Sequence, residues 1–289
     1  MMSKGQYLEI RKQLDFAPSA PMGLLTLALV GSTLTLGVWL MQQHGLAAYA
    51  LSQVVLAVGF FQAFAVLHEA GHDAIAPSHT VNVIVGHLIS PFCFLPFYTW
   101  KHIHQQHHVW AGHTEKDPAV RKLHEWRTTG KVPALARFAW RSWIPFVALM
   151  QQVVFWTYPL ALRGEAKNRT KLLQCVASIA WLVLVYAAMA YAVVHFRLVA
   201  NVLPAVAIYL FVTELVNLPH HTDLPGFDRK LGFWEQSAIA RSCYYPVVVS
   251  ELFVLNFNFH TEHHLYPDLP WYRLRRARAL VKPVLGADY

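Results

Sequence analysis

Four runs of the chain, residues 24–41, 46–67, 172–196 and 198–218, contain no Asp, Glu, Lys or Arg apart from Glu214 near the end of the last. Each is long enough, or nearly so, to cross ~30 Å of hydrocarbon as a helix rising ~1.5 Å per residue. Inside hydrocarbon every backbone N–H and C=O must find its partner within the chain, which makes these runs helices. Only 14% of residues are charged, against about 25% in a soluble domain. Two further stretches, 81–100 and 143–162, are apolar but interrupted. The first carries His87, Pro91 and Pro96, and the second follows Arg137 and Arg141. Both read as half-inserted or interfacial pieces. The expected fold class is therefore an all-α integral membrane protein, a single domain over 1–289 with about four transmembrane helices plus interfacial helices.

The formal net charge of +8 raises the question of a nucleic-acid partner, and the placement of the charge answers it. With only the four clean runs crossing, Lys and Arg number three before the first, eight over 101–141, four over 163–171 and eight from Arg229 onward. That places 23 of 24 on one face and Arg197 alone on the other. By the positive-inside rule the basic face is cytosolic, together with both termini. The basic loops thus read as topology and lipid-headgroup contacts, with no nucleic acid as partner. The first 20 residues lack the short apolar core and cleavage site of a signal peptide, so the first run serves as its own insertion signal. Cys93, Cys175 and Cys243 form no CxxC pair, which argues against a disulfide framework or a thiolate metal site.

Seventeen histidines fall largely into patterned groups. They are His68-Glu-Ala-Gly-His72 in 68–72, His104-Gln-Gln-His107-His108 in 104–108, Asn217-Leu-Pro-His220-His221 in 217–221, and His260-Thr-Glu-His263-His264 in 260–264. On a helix, positions i, i+3 and i+4 share a face, so each HxxHH box presents three imidazoles in one direction. Chance at this composition gives about 0.06 HxxHH boxes in a chain of this length; this one has two. All four groups fall on the cytosolic side of the topology above. Imidazole selects a transition metal rather than Mg or Ca. His68, His72, His104, His107, His108, His221, His260, His263 and His264 make nine candidate ligands, more than one ion can use, so two metal ions are expected. Glu69, Glu262 and Asp268 are candidate acceptors for ring N–H groups. His44, His79, His87, His124 and His195 read as interfacial or hydrogen-bonded histidines, and His102 and His113 as non-ligands beside the second box. Asn256 and Asn258 are left between tuning the metals and capping a helix.

Two readings from other classes compete. His68–His72 also fits HExxH, the helix of an intramembrane zinc protease, but that site would leave seven patterned histidines without a role. A metal transporter would place its ligands near the bilayer midplane, whereas these lie at the cytosolic ends of the runs.

The boxes, with their context H-E-A-G-H-D, H-I-H-Q-Q-H-H followed by D-P, and N-F-H-T-E-H-H-L-Y-P-D-L-P-W-Y-R-L, resemble the membrane fatty acid desaturase and hydroxylase superfamily from about His68 to Arg276. Asn217 and His221 look like the asparagine-plus-histidine element of stearoyl-CoA desaturases, in which the histidine is a ligand and the asparagine acts through a water. The resemblance implies four membrane helices, a cytosolic helical cap holding two iron ions, and O₂ as co-substrate. It implies removal of hydrogen from an unactivated C–H bond, most simply to desaturate a fatty acyl chain carried by lipid, CoA or ACP. Hydroxylation or ketolation of a lipid or carotenoid, or alkene-forming decarboxylation, are alternatives on the same scaffold. The sequence shows neither a cytochrome b5-like extension nor a G-x-G-x-x-G fingerprint, so electrons are expected from a separate ferredoxin or cytochrome b5. The run Arg273, Arg275, Arg276 and Arg278 is a candidate dock for an acidic carrier, or simply a headgroup-facing tail.

Overall fold

The computed structural model describes residues 1–119, 121–163, 168–195 and 198–286. Its helices, in chain order, are α1 (Lys4–Lys12), α2 (Ala20–Met41), α3 (Leu46–Gly71), α4 (His79–Cys93), α5 (Phe97–Trp110), α6 (Arg121–Thr129), α7 (Ala134–Arg141), α8 (Phe146–Ala161), α9 (Arg169–His195), α10 (Leu198–His221), α11 (His260–Leu265) and α12 (Leu274–Leu285). No β-strand occurs among the described residues. The helices α2, α3, α9 and α10 are long and apolar enough to cross a membrane, and they contain the described residues of the four runs read from the sequence. Phe196, at the end of the third run, and Arg197 lie outside the described residues. The chain parts into two compact units, one of residues 1–18, 103–144 and 215–289, the other of residues 19–102 and 145–214.

In the second of these units α3 is the most buried candidate span, with 72% of its apolar window buried against 17–28% for the others. It packs against α2 at small residues. A Cβ on Gly37 would fall 2.7 Å from Leu56, and one on Gly59 would fall 2.6 Å from Leu34. Small residues at such crossings let backbones approach closely where no hydrophobic drive between helices exists.

The interrupted stretch 81–100 is a pair of helices, α4 and α5, bent by 100° at the break between them. Pro91 lacks the N–H that would pair with the carbonyl of His87. That carbonyl accepts instead from Trp181 Nε1 at 2.7 Å and Ser90 Oγ at 2.9 Å. Around the break, Tyr186 Oη donates to the Pro91 carbonyl at 2.9 Å, Trp156 Nε1 to that of Phe94 at 2.9 Å, and Tyr209 Oη to that of Cys93 at 3.3 Å. Irregular backbone in apolar surroundings persists only where protein groups satisfy it, and amphipathic Trp and Tyr from α8, α9 and α10 do so here. His87 bonds Val83 O and Ser178 Oγ, and His102 bonds Gln174 Oε1 at 3.0 Å. The stretch 143–162 forms α8, only 16 residues long. In its first turn the N–H groups of Val147 and Ala148 donate to the buried Glu214 carboxylate at 2.9 and 3.0 Å, which gives the one acid of the last run a structural role.

The other unit joins the two chain ends. Tyr7, Ile10 and Leu14 of the N-terminal segment share a core with Leu265, Tyr266, Leu269, Leu274, Ala277 and Val281. The Tyr7 and Tyr266 rings stack with centroids 5.0 Å apart, and Tyr266 Oη donates to Tyr7 O at 3.2 Å. Burial raises both phenol pKa values above the ordinary range. Much of the basic tail is already paired: Arg273 with Asp15 at 2.6 Å, Arg275 with Glu251 at 2.8 Å, and Arg278 within 3.8 Å of Glu262. In the same unit, α7 buries Ala136 and Ala139 while exposing Leu135 and Phe138, the outward apolar face expected of an interfacial helix.

Candidate metal centre

Both HxxHH boxes are helical, as their spacing requires. His104, His107 and His108 lie on α5, and His260, His263 and His264 make up half of the short α11. The three imidazoles of a box do not, however, converge on one point. His107 joins His221, His260 and His264, with one ring nitrogen from each lying within 4.8 Å of the others. The closest pairs of Nε2 atoms are His221–His260 at 2.8 Å, His107–His264 at 3.2 Å and His260–His264 at 3.2 Å. His108 instead places Nε2 at 3.0 Å from His104 Nε2 and 2.9 Å from His263 Nε2. Each box is thus divided: α5 gives its i, i+4 pair to one group and its i+3 residue to the other, and α11 does the reverse. The expectation of three imidazoles aimed in one direction is corrected to this division, because positions i, i+3 and i+4 together spread over an arc of about 100°, wide enough to serve two targets.

Three of the four rings in the first group have their tautomer fixed. His107 Nδ1 lies 2.8 Å from Asp117 Oδ1, His264 Nδ1 lies 2.9 Å from Gln236 Oε1, and His221 Nδ1 lies 2.9 Å from the carbonyl of Ile239. These partners only accept, so each Nδ1 carries the proton and each Nε2 presents a lone pair. The Gln236 amide is oriented by its other end, where Nε2 donates to His108 O at 2.9 Å. His107 Nε2 and His264 Nε2 therefore face each other at 3.2 Å as lone pair against lone pair, with no proton to join them. Burial, followed by the imidazoles of His108, His260, His107 and His221, holds the His264 pKa well below the ordinary histidine value, which keeps the ring neutral. Converging lone pairs in a buried pocket fit a cation. Nitrogens bound to one ion at ~2.0–2.1 Å would stand roughly 3 Å apart, as these do. The residues present fit the group.

Asp117 is fully buried. Its Oδ1 accepts from His107 and from Ala119 N at 2.9 Å, and its Oδ2 accepts from Gly112 N at 2.8 Å. Burial alone would raise its pKa, but the His107 ring and the Gly112 N–H outweigh burial and lower it. The acceptors expected from the sequence are placed differently. Glu262 accepts from Ser242 Oγ and approaches Arg278 rather than a histidine, and burial pushes its carboxyl up to about 7. Asp268 is exposed, and Glu69 Oε1 lies 3.4 Å from His68 Nδ1. Asp117 stood in the D-P context of the second box without a role, and Gln236 and the Ile239 carbonyl carried no local signal at all. Asn256 and Asn258 brace the approach to α11. Ser250 Oγ lies 2.8 and 2.7 Å from their side-chain oxygens, while their amides donate to Trp271 O and Cys243 O.

His68 and His72 belong to the other unit. They close α3, with His68 in its last turn and His72 at its C-cap, and their ring centroids are 4.9 Å apart. Trp100 packs edge-on to His68 at 5.5 Å, in a space that a Cβ on Gly71 would fill, 2.5 Å from the indole. Asn217 lies one turn before His221 on α10. His113 is buried, and its Nδ1 accepts from Glu115 N at 3.2 Å. His220 is also buried, with its ring parallel to His260 at 4.3 Å, and belongs to neither set of converging nitrogens.

Comparison with known proteins gives the family. The sequence profile described as "Fatty acid desaturase" matches residues 44–289. Relatives include the Delta(12) acyl-lipid conjugase (11E,13E-forming) of Impatiens balsamina, 26% identical over 77% of this chain and 63% of its own length. The chloroplastic omega-3 fatty acid desaturase of Brassica napus is 24% identical over 80% of this chain and 60% of its own. The chloroplastic sn-2 acyl-lipid omega-3 desaturase (ferredoxin) of Arabidopsis thaliana is 24% identical over 80% of this chain and 54% of its own. The chain thus spans 54–63% of the length of these relatives.

Proposed function

This chain belongs to the fatty acid desaturase family, and from that premise we propose that it is an O₂-dependent, di-iron membrane oxidoreductase that introduces a C=C bond into a fatty acyl chain. The observation that carries the reading is the convergence of His107, His221 and His264 lone pairs, with His260, in a buried pocket whose N–H groups are already committed elsewhere. Two of the relatives above are named for acyl-lipid substrates, which favours an acyl chain esterified in a membrane lipid over one on CoA or ACP.

His107, His221, His260 and His264 would hold one iron. His104, His108 and His263 would hold the other; His68 and His72 are retained as further ligands on the strength of the HxxxH motif alone, and Asn217 as acting through a water. Bound iron would supply activation of O₂ and hydrogen removal from an unactivated C–H bond, using two electrons delivered from outside. What the chain's own residues do is hold each ligand ring. Asp117, Gln236 and Ile239 O keep the protons on Nδ1 and the lone pairs inward, so no ring must reorient when the ion arrives. Burial of the ligands excludes bulk water from a site meant to attack hydrocarbon. The electrons would come from a separate carrier, ferredoxin being named for one relative. With Arg273, Arg275 and Arg278 engaged internally, the basic tail offers that carrier less free charge than its sequence suggests. The metal site and both termini would face the cytosol, as the distribution of Lys and Arg favours.

Expression in a host with a simple lipid profile, with iron and a ferredoxin system supplied, tests the reading. Mass spectrometry of membrane lipids is expected to find acyl chains lighter by two hydrogens. Species heavier by one oxygen would move the assignment to a hydroxylase, and unchanged lipids from iron-loaded, reduced protein would contradict it.

A further inference from the structure

We propose that Gln236 is a positioning residue for His264: its carbonyl oxygen aims the His264 ring at one ion, while its amide nitrogen, donated to the His108 carbonyl of α5, holds the Gln236 side chain itself in place. The inference rests on the di-iron reading above. Gln236 lies in a short 3₁₀ helix, Phe233–Ala238, far in sequence from both boxes. That turn is itself pinned, because Glu235 accepts from Gly232 N at 2.9 Å and binds Arg229 through both oxygens at 2.6 and 3.0 Å.

The side chain is 1% exposed, and both of its polar ends are used in directions that only an amide satisfies. Toward His264 it must accept, since Nδ1–H is there; toward His108 it must donate, since a carbonyl is there. Glutamate can do the first but sets a carboxylate against the His108 carbonyl. Leucine can do neither. Asparagine is one methylene too short to keep both contacts at 2.9 Å. The choice of amide over carboxylate also grades the ligands of one ion. His107 leans on the charged Asp117, whereas His264 leans on neutral Gln236 and His221 on the neutral Ile239 carbonyl. A carboxylate behind a ligating imidazole raises its basicity as a donor. One charged and two neutral supports therefore set an intermediate donor strength, and Gln236→Glu would add a second charge to the shell of that ion.

The test uses the purified, iron-loaded full chain. Iron retained per chain against a graded chelator series, the Mössbauer spectrum and the reduction midpoint are measured for wild type, Gln236→Leu and Gln236→Glu. Gln236→Leu is expected to weaken one of the two irons by about 10–100-fold, the usual cost of losing a ligand's outer partner, while the other stays bound. Gln236→Glu, which conserves shape, is expected to keep both irons but lower the midpoint potential and shift only one of two Mössbauer components. The inference is overturned if Gln236→Leu holds both irons as tightly as wild type, or loses both in parallel as a general collapse would. It is equally overturned if Gln236→Glu leaves potential and spectrum unchanged, a measurement that stands even where the leucine variant does not fold. Wild-type protein that binds no iron would instead contradict the di-iron reading itself, whatever Gln236 does.

Discussion

Replacing Asp117 by Asn keeps shape and volume and removes one charge. In the wild type, three donors meet this carboxylate: His107 Nδ1 and Ala119 N at Oδ1, and Gly112 N at Oδ2, at 2.8, 2.9 and 2.8 Å. Asparagine retains one oxygen. Its best orientation gives that oxygen to His107 and Ala119 and turns its NH₂ against the Gly112 N–H, donor against donor. A buried donor left unsatisfied costs about 1–3 kcal/mol, and losing the carboxylate behind His107 weakens metal binding by roughly 10–100-fold, or about 1.4–2.8 kcal/mol. Asp117→Ala abandons all three donors and is expected to fare worse, with the 112–119 loop itself loosened. The assay is iron retention against a chelator series, paired with thermal unfolding of the metal-free protein to separate loss of ligand quality from loss of fold. Asp117→Asn should melt slightly earlier without metal and lose iron at clearly lower chelator concentration. An Asp117→Asn protein that holds iron within twofold of wild type would refute the argument that this carboxylate positions His107.

Other consequences are as direct. His107→Ala or His264→Ala should abolish lipid desaturation while the protein still inserts, read by lipid mass spectrometry and membrane fractionation; a variant active on lipids would remove that residue from the ligand set. Trp181→Phe should destabilise the protein by about 1–2 kcal/mol by removing a donor from the His87 carbonyl, and by less in a Pro91→Ala background, where a backbone N–H at 91 can replace it; thermal melts of the four proteins give the coupling. Alkaline pH should release the N-terminal helix. The Tyr7 and Tyr266 pKa values are raised by burial, so the stability they contribute is complete below the ordinary phenol value of 10.0 and is lost as pH rises through their higher folded values. Limited proteolysis at the N-terminus should therefore increase above that range in wild type, and the increase should be smaller in Tyr266→Phe.

What was legible in the sequence is what is local. The four apolar runs became α2, α3, α9 and α10 because length and the absence of charge act within each segment, and both HxxHH boxes became helical because their spacing is helical. Distant partners were not legible. The carbonyls freed near Pro91 are satisfied by Trp156, Trp181, Tyr186 and Tyr209, 62 to 116 residues away, so the break could be seen in the prolines but its repair could not. The division of each box between two nitrogen groups depends on how α5 and α11 pack, not on either spacing. Gln236 shows the limit most plainly: a glutamine between Glu235 and Ser237 has no local mark, and only the fold places it between His264 and His108.

The central claim is that these imidazoles bind iron in a pair. Iron analysis of the purified protein, with X-ray absorption at the iron edge, tests it most directly. Two irons per chain are expected, surrounded mainly by nitrogen and with the outer scattering of several imidazoles, and one of the two is expected to be lost when His107 and His264 are replaced together. A single zinc per chain, or iron in a shell dominated by carboxylate oxygen, would contradict it.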